Sequence, residues 1–173
     1  MKVRKSVGLI FALVLAASAC GDELVLTQAV EVPVTAETAA AIVDVKVPFS
    51  DGGFFAPQFS GSSFELTFNS ATSFTATGGG VTIVGTVTYG SCTFTWTSPA
   101  PGGSKKFDTC GIKVASGGTA NNVTVSLGVA GSAPVTSQPV TSTVEVKEES
   151  PNVCRVYING VASGSTYPCT TSS

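Results

Sequence analysis

Side-chain alternation constrains this chain most. Residues 63–69 put Phe64, Leu66 and Phe68 on one parity and Glu65 and Thr67 on the other. Successive side chains of a strand point to opposite faces, so period two predicts a half-buried strand rather than a helix. The pattern recurs. In 42–49 Val43, Val45, Val47 and Phe49 oppose Asp44 and Lys46, and in 92–97 Cys92, Phe94 and Trp96 oppose Thr93, Thr95 and Thr97. Weaker versions occupy 74–77, 81–89, 107–115, 122–129, 139–148 and 153–159, with a last edge near Tyr167. Gly, Pro, Ser and Asn separate these runs, which amount to roughly nine strands. The apolar parity flips across Gly90-Ser91, which predicts a bulge or break there. Gly78-Gly-Gly80 and Asn159-Gly160 read as hairpin loops. Only residues 35–41 could form a helical turn or two. The expected fold is all-β: a β-sandwich, immunoglobulin-like or jelly-roll-like, with antiparallel strands. A barrel is the alternative. A true immunoglobulin domain is not expected. Trp96 shares a strand with Cys92, and Cys169 leaves no room for a further strand.

Cysteine usage adds a second constraint. Setting Cys20 aside, Cys92, Cys110, Cys154 and Cys169 form an even set with three possible pairings. The pairing Cys92–Cys110 with Cys154–Cys169 is favoured, because each pair brackets a turn-rich segment. In the chain-entropy model each such loop is worth about 3 kcal/mol. A zinc site is disfavoured, since no C-x-x-C and no histidine occur.

The N-terminus explains the odd cysteine. Lys2, Arg4 and Lys5 precede an apolar run over 7–17, and small residues then lead into Ala17-Ser18-Ala19-Cys20. The run has the length of a secretory leader and is short of the ~20 residues of a membrane-spanning helix. This arrangement resembles the signal peptide and lipobox of bacterial lipoproteins. The resemblance implies cleavage before Cys20, diacylglycerol on its sulfur and an acyl chain such as palmitate on its amine. Gly21 after the cysteine implies, by the same resemblance, sorting to the outer membrane. The expected organisation is a leader over 1–19, a lipidated Cys20 and tether over 20–35 that can become the first strand, and one β-sandwich domain over 36–173. An ordinary secretory leader cut near Ala19 is the competing reading.

Removing the leader leaves 6 basic against 11 acidic residues, a net charge of about −5. With no basic patch, nucleic acid is not an expected partner. Without histidine, Ser-His-Asp and Cys-His catalysis and imidazole metal sites are excluded. No cofactor is expected. Asp44, Asp51, Glu65 and Asp108 could in principle supply the two carboxylates of a glycosidase, but no spacing supports it, and solvated turns explain them better. Glu145, Glu148 and Glu149 read the same way.

One segment stands out: Asp51-Gly-Gly-Phe-Phe-Ala-Pro-Gln-Phe59. Exposed, Phe54, Phe55 and Phe59 would form a contact surface for a protein, glycan or membrane. Buried, they would plug one end of the sandwich. Trp96 with Tyr89 poses the same choice, between sugar stacking and core. The functional expectation is a non-enzymatic, membrane-anchored envelope lipoprotein acting as a binding or structural module, with an envelope protein or glycan as partner. A surface adhesin or surface-layer component is the alternative, and a two-carboxylate carbohydrate hydrolase a more distant one.

Overall fold

A computed structural model describes residues 24–26, 30–114 and 122–171. Cys20 and the leader lie outside the described residues. The chain runs through β1 (Leu24–Leu26), β2 (Val30–Pro33), the helix α1 (Ala36–Ala41) and β3 (Lys46–Phe49). It continues with β4 (Phe64–Phe68), β5 (Ser73–Gly78), β6 (Val81–Thr88), β7 (Thr93–Ser98) and β8 (Gly103–Lys106). Then follow β9 (Thr109–Val114), β10 (Asn122–Gly128), β11 (Val135–Thr136), β12 (Val140–Thr141), β13 (Val144–Ser150), β14 (Val153–Ile158) and β15 (Val161–Thr171). The fold is all-β, with sandwich-like layering. Its pairings are antiparallel, apart from one isolated parallel bridge between Val43 and Phe68.

The largest sheet is a six-stranded meander in the order β3-β4-β5-β6-β7-β8. Its inner face carries the alternation read from the sequence: Phe64, Leu66 and Phe68 are buried, and so are Phe74, Ala76, Ile83, Phe94 and Trp96. Tight hairpins connect it. Gly79 and Gly80 both have positive φ (56° and 79°) between the paired Gly78 and Val81. Asn159 (49°) and Gly160 (81°) repeat this geometry between β14 and β15. Two successive positive φ values match the strand twist, and Gly and Asn tolerate them best. At Gly90-Ser91 the chain makes a short 3-10 turn, and Cys92 takes a left-handed conformation (φ 41°). This turn causes the parity flip between β6 and β7.

A second sheet has the order β11-β10-β9-β2, with β12 also on β10. A third has the order β1-β15-β14-β13. Thr35 caps α1: its hydroxyl accepts the Thr38 N–H, and the Thr38 hydroxyl accepts the Thr35 N–H. At the other end Asn159 Nδ2 donates to the Ala41 carbonyl (2.7 Å), an orphan of the helix terminus. The same amide accepts the Thr143 N–H (2.8 Å), so one side chain ties the last hairpin to the helix.

Buried residues from Val30 to Cys169 form one cluster shared by all three sheets. The two disulfides join Cys92 to Cys110 and Cys154 to Cys169. The first links the turn before β7 to β9 and so ties the meander to the second sheet. The second cross-links β14 and β15 within the third.

The described residues form fifteen strands rather than about nine. The expected strand over 42–49 is shorter, because Asp44 has positive φ (61°) and only Lys46–Phe49 joins the antiparallel ladder. The run over 139–148 divides into β12 and β13. The tether contributes two short strands, β1 and β2.

Candidate functional site

Of the two readings of the Phe-rich loop, the structure takes the buried plug. Phe55 (1 % exposed) and Phe59 (0 %) are buried, and Phe54 is half-buried, so these three rings do not form an exposed contact surface. The Gly-Pro composition that suggested an open loop instead lets the chain double back. Asp51 Oδ1 accepts the N–H groups of Gly53 (3.0 Å) and Gly61 (3.2 Å), and a 3-10 turn over Pro57–Phe59 follows. The rings then enter the end of the core. Phe59 stacks on Phe64 at 5.0 Å and 5°, and Phe55 stacks on Trp96 at 5.9 Å and 23°. Phe55 also meets the Phe94 ring edge-on at 5.3 Å. Each buried ring contributes about 1.5–3 kcal/mol, which exposure would forfeit.

Trp96 and Tyr89 do not form a sugar platform either. Trp96 is 5 % exposed. Phe55 lies along it, and a Cβ on its cross-strand partner Gly103 would fall 2.7 Å from the indole. The indole Nε1 is buried without a hydrogen-bond partner, which costs about 1–3 kcal/mol. Tyr89 stands elsewhere, on a cavity of about 390 Å³ beside the Cys92–Cys110 disulfide, with Ser91, Lys106 and Asp108. Its hydroxyl donates to the Ala71 carbonyl, and burial pushes its pKa up to about 12. Tyr89 therefore keeps its proton at neutral pH and is no general base.

The carboxylates have local partners. Glu65 pairs with Lys46 (3.3 Å) and Glu145 with Lys147 (3.0 Å). Glu148 accepts the Asn152 N–H (3.0 Å). Glu149 takes a bidentate bond from Arg155, at 2.6 and 2.8 Å, and Tyr157 donates to it at 3.4 Å. The Arg155 hydrogen bond holds the Glu149 carboxyl below the usual carboxylate range. Asp44 and Asp51 sit in turns, and Asp108 borders the Tyr89 cavity. Among the described residues no group of three Cys, Asp or Glu is placed to hold a metal ion.

Two features carry the presentable chemistry. The first is the outer face of the meander. In register across its strands run Glu65–Thr77–Thr82, Ser73–Thr86–Thr95–Ser104 and Thr88–Thr93–Lys106. This is a layer of hydroxyls in which Val84, 46 % exposed, is the one large apolar side chain exposed among the described residues. The sequence showed its Thr93, Thr95 and Thr97 portion. The rest depended on strand register. The sheet edges are guarded against strand addition, by Pro48 on β3, by Lys105 and Lys106 on β8 and by the charged run of β13.

The second is a cleft of about 470 Å³ between residues 53–58 and β8. Gly53, Phe55, Gln58, Trp96, Ser104 and Lys105 contribute to its wall. Sequence reading missed it, because Gly103-Ser-Lys-Lys106 has no apolar alternation and gave no strand. Comparison with protein-family models, curated proteins and solved structures gives no match.

Proposed function

We propose that this chain is a lipid-anchored module of the bacterial cell envelope, held at the outer membrane through Cys20, and that it binds or scaffolds rather than catalyses. The supporting observation is the shortness of the connection between anchor and fold. Three residues separate Cys20 from Leu24, where β1 begins, and β1 pairs with the terminal strand β15. At ~3.3–3.6 Å per residue those steps reach about 14 Å at most. The anchor would thus hold the β1–β15 edge against the bilayer and fix the body's orientation. Two or three acyl chains on one cysteine make such attachment firm, since one chain alone binds only marginally. The two disulfides fit an oxidising, exported location. Among the described residues no helix is long and apolar enough to cross a membrane. The partner is an envelope protein or glycan.

The test is fractionation of the full chain and its Cys20→Ser variant, expressed in a bacterial host. The wild type is expected in the detergent-extracted membrane and the variant in the soluble exported fraction. A variant that still partitions with membrane would overturn the reading.

A further inference from the structure

The two disulfides differ in what surrounds them. Cys154 (0 % exposed) and Cys169 (3 %) are buried between β14 and β15, which the ladder already pairs. Cys92 is 7 % exposed and Cys110 is half-buried, and both line the surface cavity of about 390 Å³ shared with Tyr89, Ser91, Lys106 and Asp108. The Cys110 main chain is occupied on both sides. Leu127 of β10 stands opposite it, and the Val34 N–H donates to its carbonyl (2.9 Å). Its side chain is therefore the part left to meet the cavity. Lys106 and Asp108 carry opposite charges there, and Tyr89 keeps its proton, so an approaching thiolate meets no net negative charge.

We propose that Cys92–Cys110 is a thiol–disulfide exchange site, opened by a dithiol that enters this cavity, while Cys154–Cys169 stays closed. Exchange depends on access of a thiolate to one sulfur, and exposed bridges are the labile ones. One thiolate of the dithiol attacks Cys110 Sγ. The bridge breaks, and its electron pair leaves on Cys92 Sγ, which takes up a proton. The second thiol of the dithiol loses its proton and attacks the dithiol sulfur now joined to Cys110. The Cys110 thiolate leaves and is protonated in turn. The dithiol ends as a disulfide and the bridge as two thiols, a two-electron exchange. Opening frees the turn before β7 from β9, so the covalent tie between the meander and the second sheet at this point is reduced to the chain through Phe107 and Asp108. The fold persists, because one core cluster spans all three sheets. The inference goes beyond the envelope-module reading and does not depend on Cys20.

The full chain carrying Cys20→Ser, which removes the fifth cysteine, is treated with dithiothreitol without denaturant. Free thiols are alkylated at intervals and located by mass spectrometry. Cys92 and Cys110 should be labelled together, on the order of tenfold faster than Cys154 and Cys169. With glutathione in place of dithiothreitol, the earliest mixed disulfide should sit on Cys110. The β signal in circular dichroism should survive at room temperature when only the first pair is labelled. Equal rates for the two bridges would mark global unfolding as the route and overturn the proposal. So would Cys154–Cys169 opening first, neither bridge opening in the folded protein, an earliest adduct on Cys92, or loss of the β signal as the first bridge opens.

Discussion

Phe55 touches more of the aromatic core than any alternation pattern could show. Its ring meets Phe59, Phe64, Phe74, Phe94, Trp96 and Phe107 with centroids 5.3–6.3 Å apart. Phe55→Ala should therefore cost about 3–5 kcal/mol, seen as a lower denaturation midpoint. A loss under 1 kcal/mol would mean the ring is not buried. Gly85 is a second such position. A Cβ there would meet the Thr95 carbonyl at 2.1 Å, whereas one at Gly90 would meet nothing within 4 Å. Gly85→Ala should destabilise by roughly 1–3 kcal/mol, with Gly90→Ala close to neutral in the same unfolding measurement. The Glu149–Arg155 pair gives a pH signature. Because the folded carboxyl titrates below its ordinary range, the pair contributes at neutral pH and its contribution is lost as pH falls through the folded value. The stability gap between wild type and Glu149→Gln should be widest at neutral pH and close on acidification. A gap unchanged with pH would contradict the pairing. At this scale the sequence revealed Phe64, Leu66 and Phe68, whose burial follows from parity. Phe55 and Phe59 were undecided, because a Gly-Pro loop has no period and its direction depends on long-range packing.

Among the elements, the strands with strong alternation were legible and those without it were not. β4, β7 and β10 lie close to where period two placed them. β8 was hidden because Gly103-Ser-Lys-Lys106 has no apolar side to reveal, and β11 because two residues cannot express a period. The hairpins at Gly79-Gly80 and Asn159-Gly160 were legible for a local reason, the positive φ those residue types permit. Disulfide pairing was legible from the turn-rich segment that each pair brackets, but the role of each bridge was not. Cys92–Cys110 joins two sheets, while Cys154–Cys169 links strands that the ladder already pairs. The chain-entropy model gives both about 3 kcal/mol. The inter-sheet bridge has no hydrogen-bonded ladder to back it up. Replacing Cys92 and Cys110 by Ser together should lower the thermal midpoint more than replacing Cys154 and Cys169, and equal or reversed losses would show that bridge placement does not matter.

For the molecule as a whole, the first and last strands among the described residues lie side by side in one sheet, and three residues separate the first of them from the cysteine read as the anchor. The proposed anchoring would place attachment at that edge, with two other surfaces available for partners: the threonine face of the meander and the cleft between β8 and residues 53–58. Neither could be seen in the linear sequence as a surface. The face needs the register of five strands, and the cleft needs a doubled-back loop set against an edge strand. The anchor, by contrast, is a purely local pattern. The central claim is that the mature protein begins at an acylated Cys20, and mass spectrometry of the N-terminal peptide of membrane-extracted protein tests it directly. The peptide should start at Cys20 and carry the added mass of a diacylglycerol. A peptide that retains Lys2 to Ala19, or one that starts at an unmodified Cys20, would contradict the account.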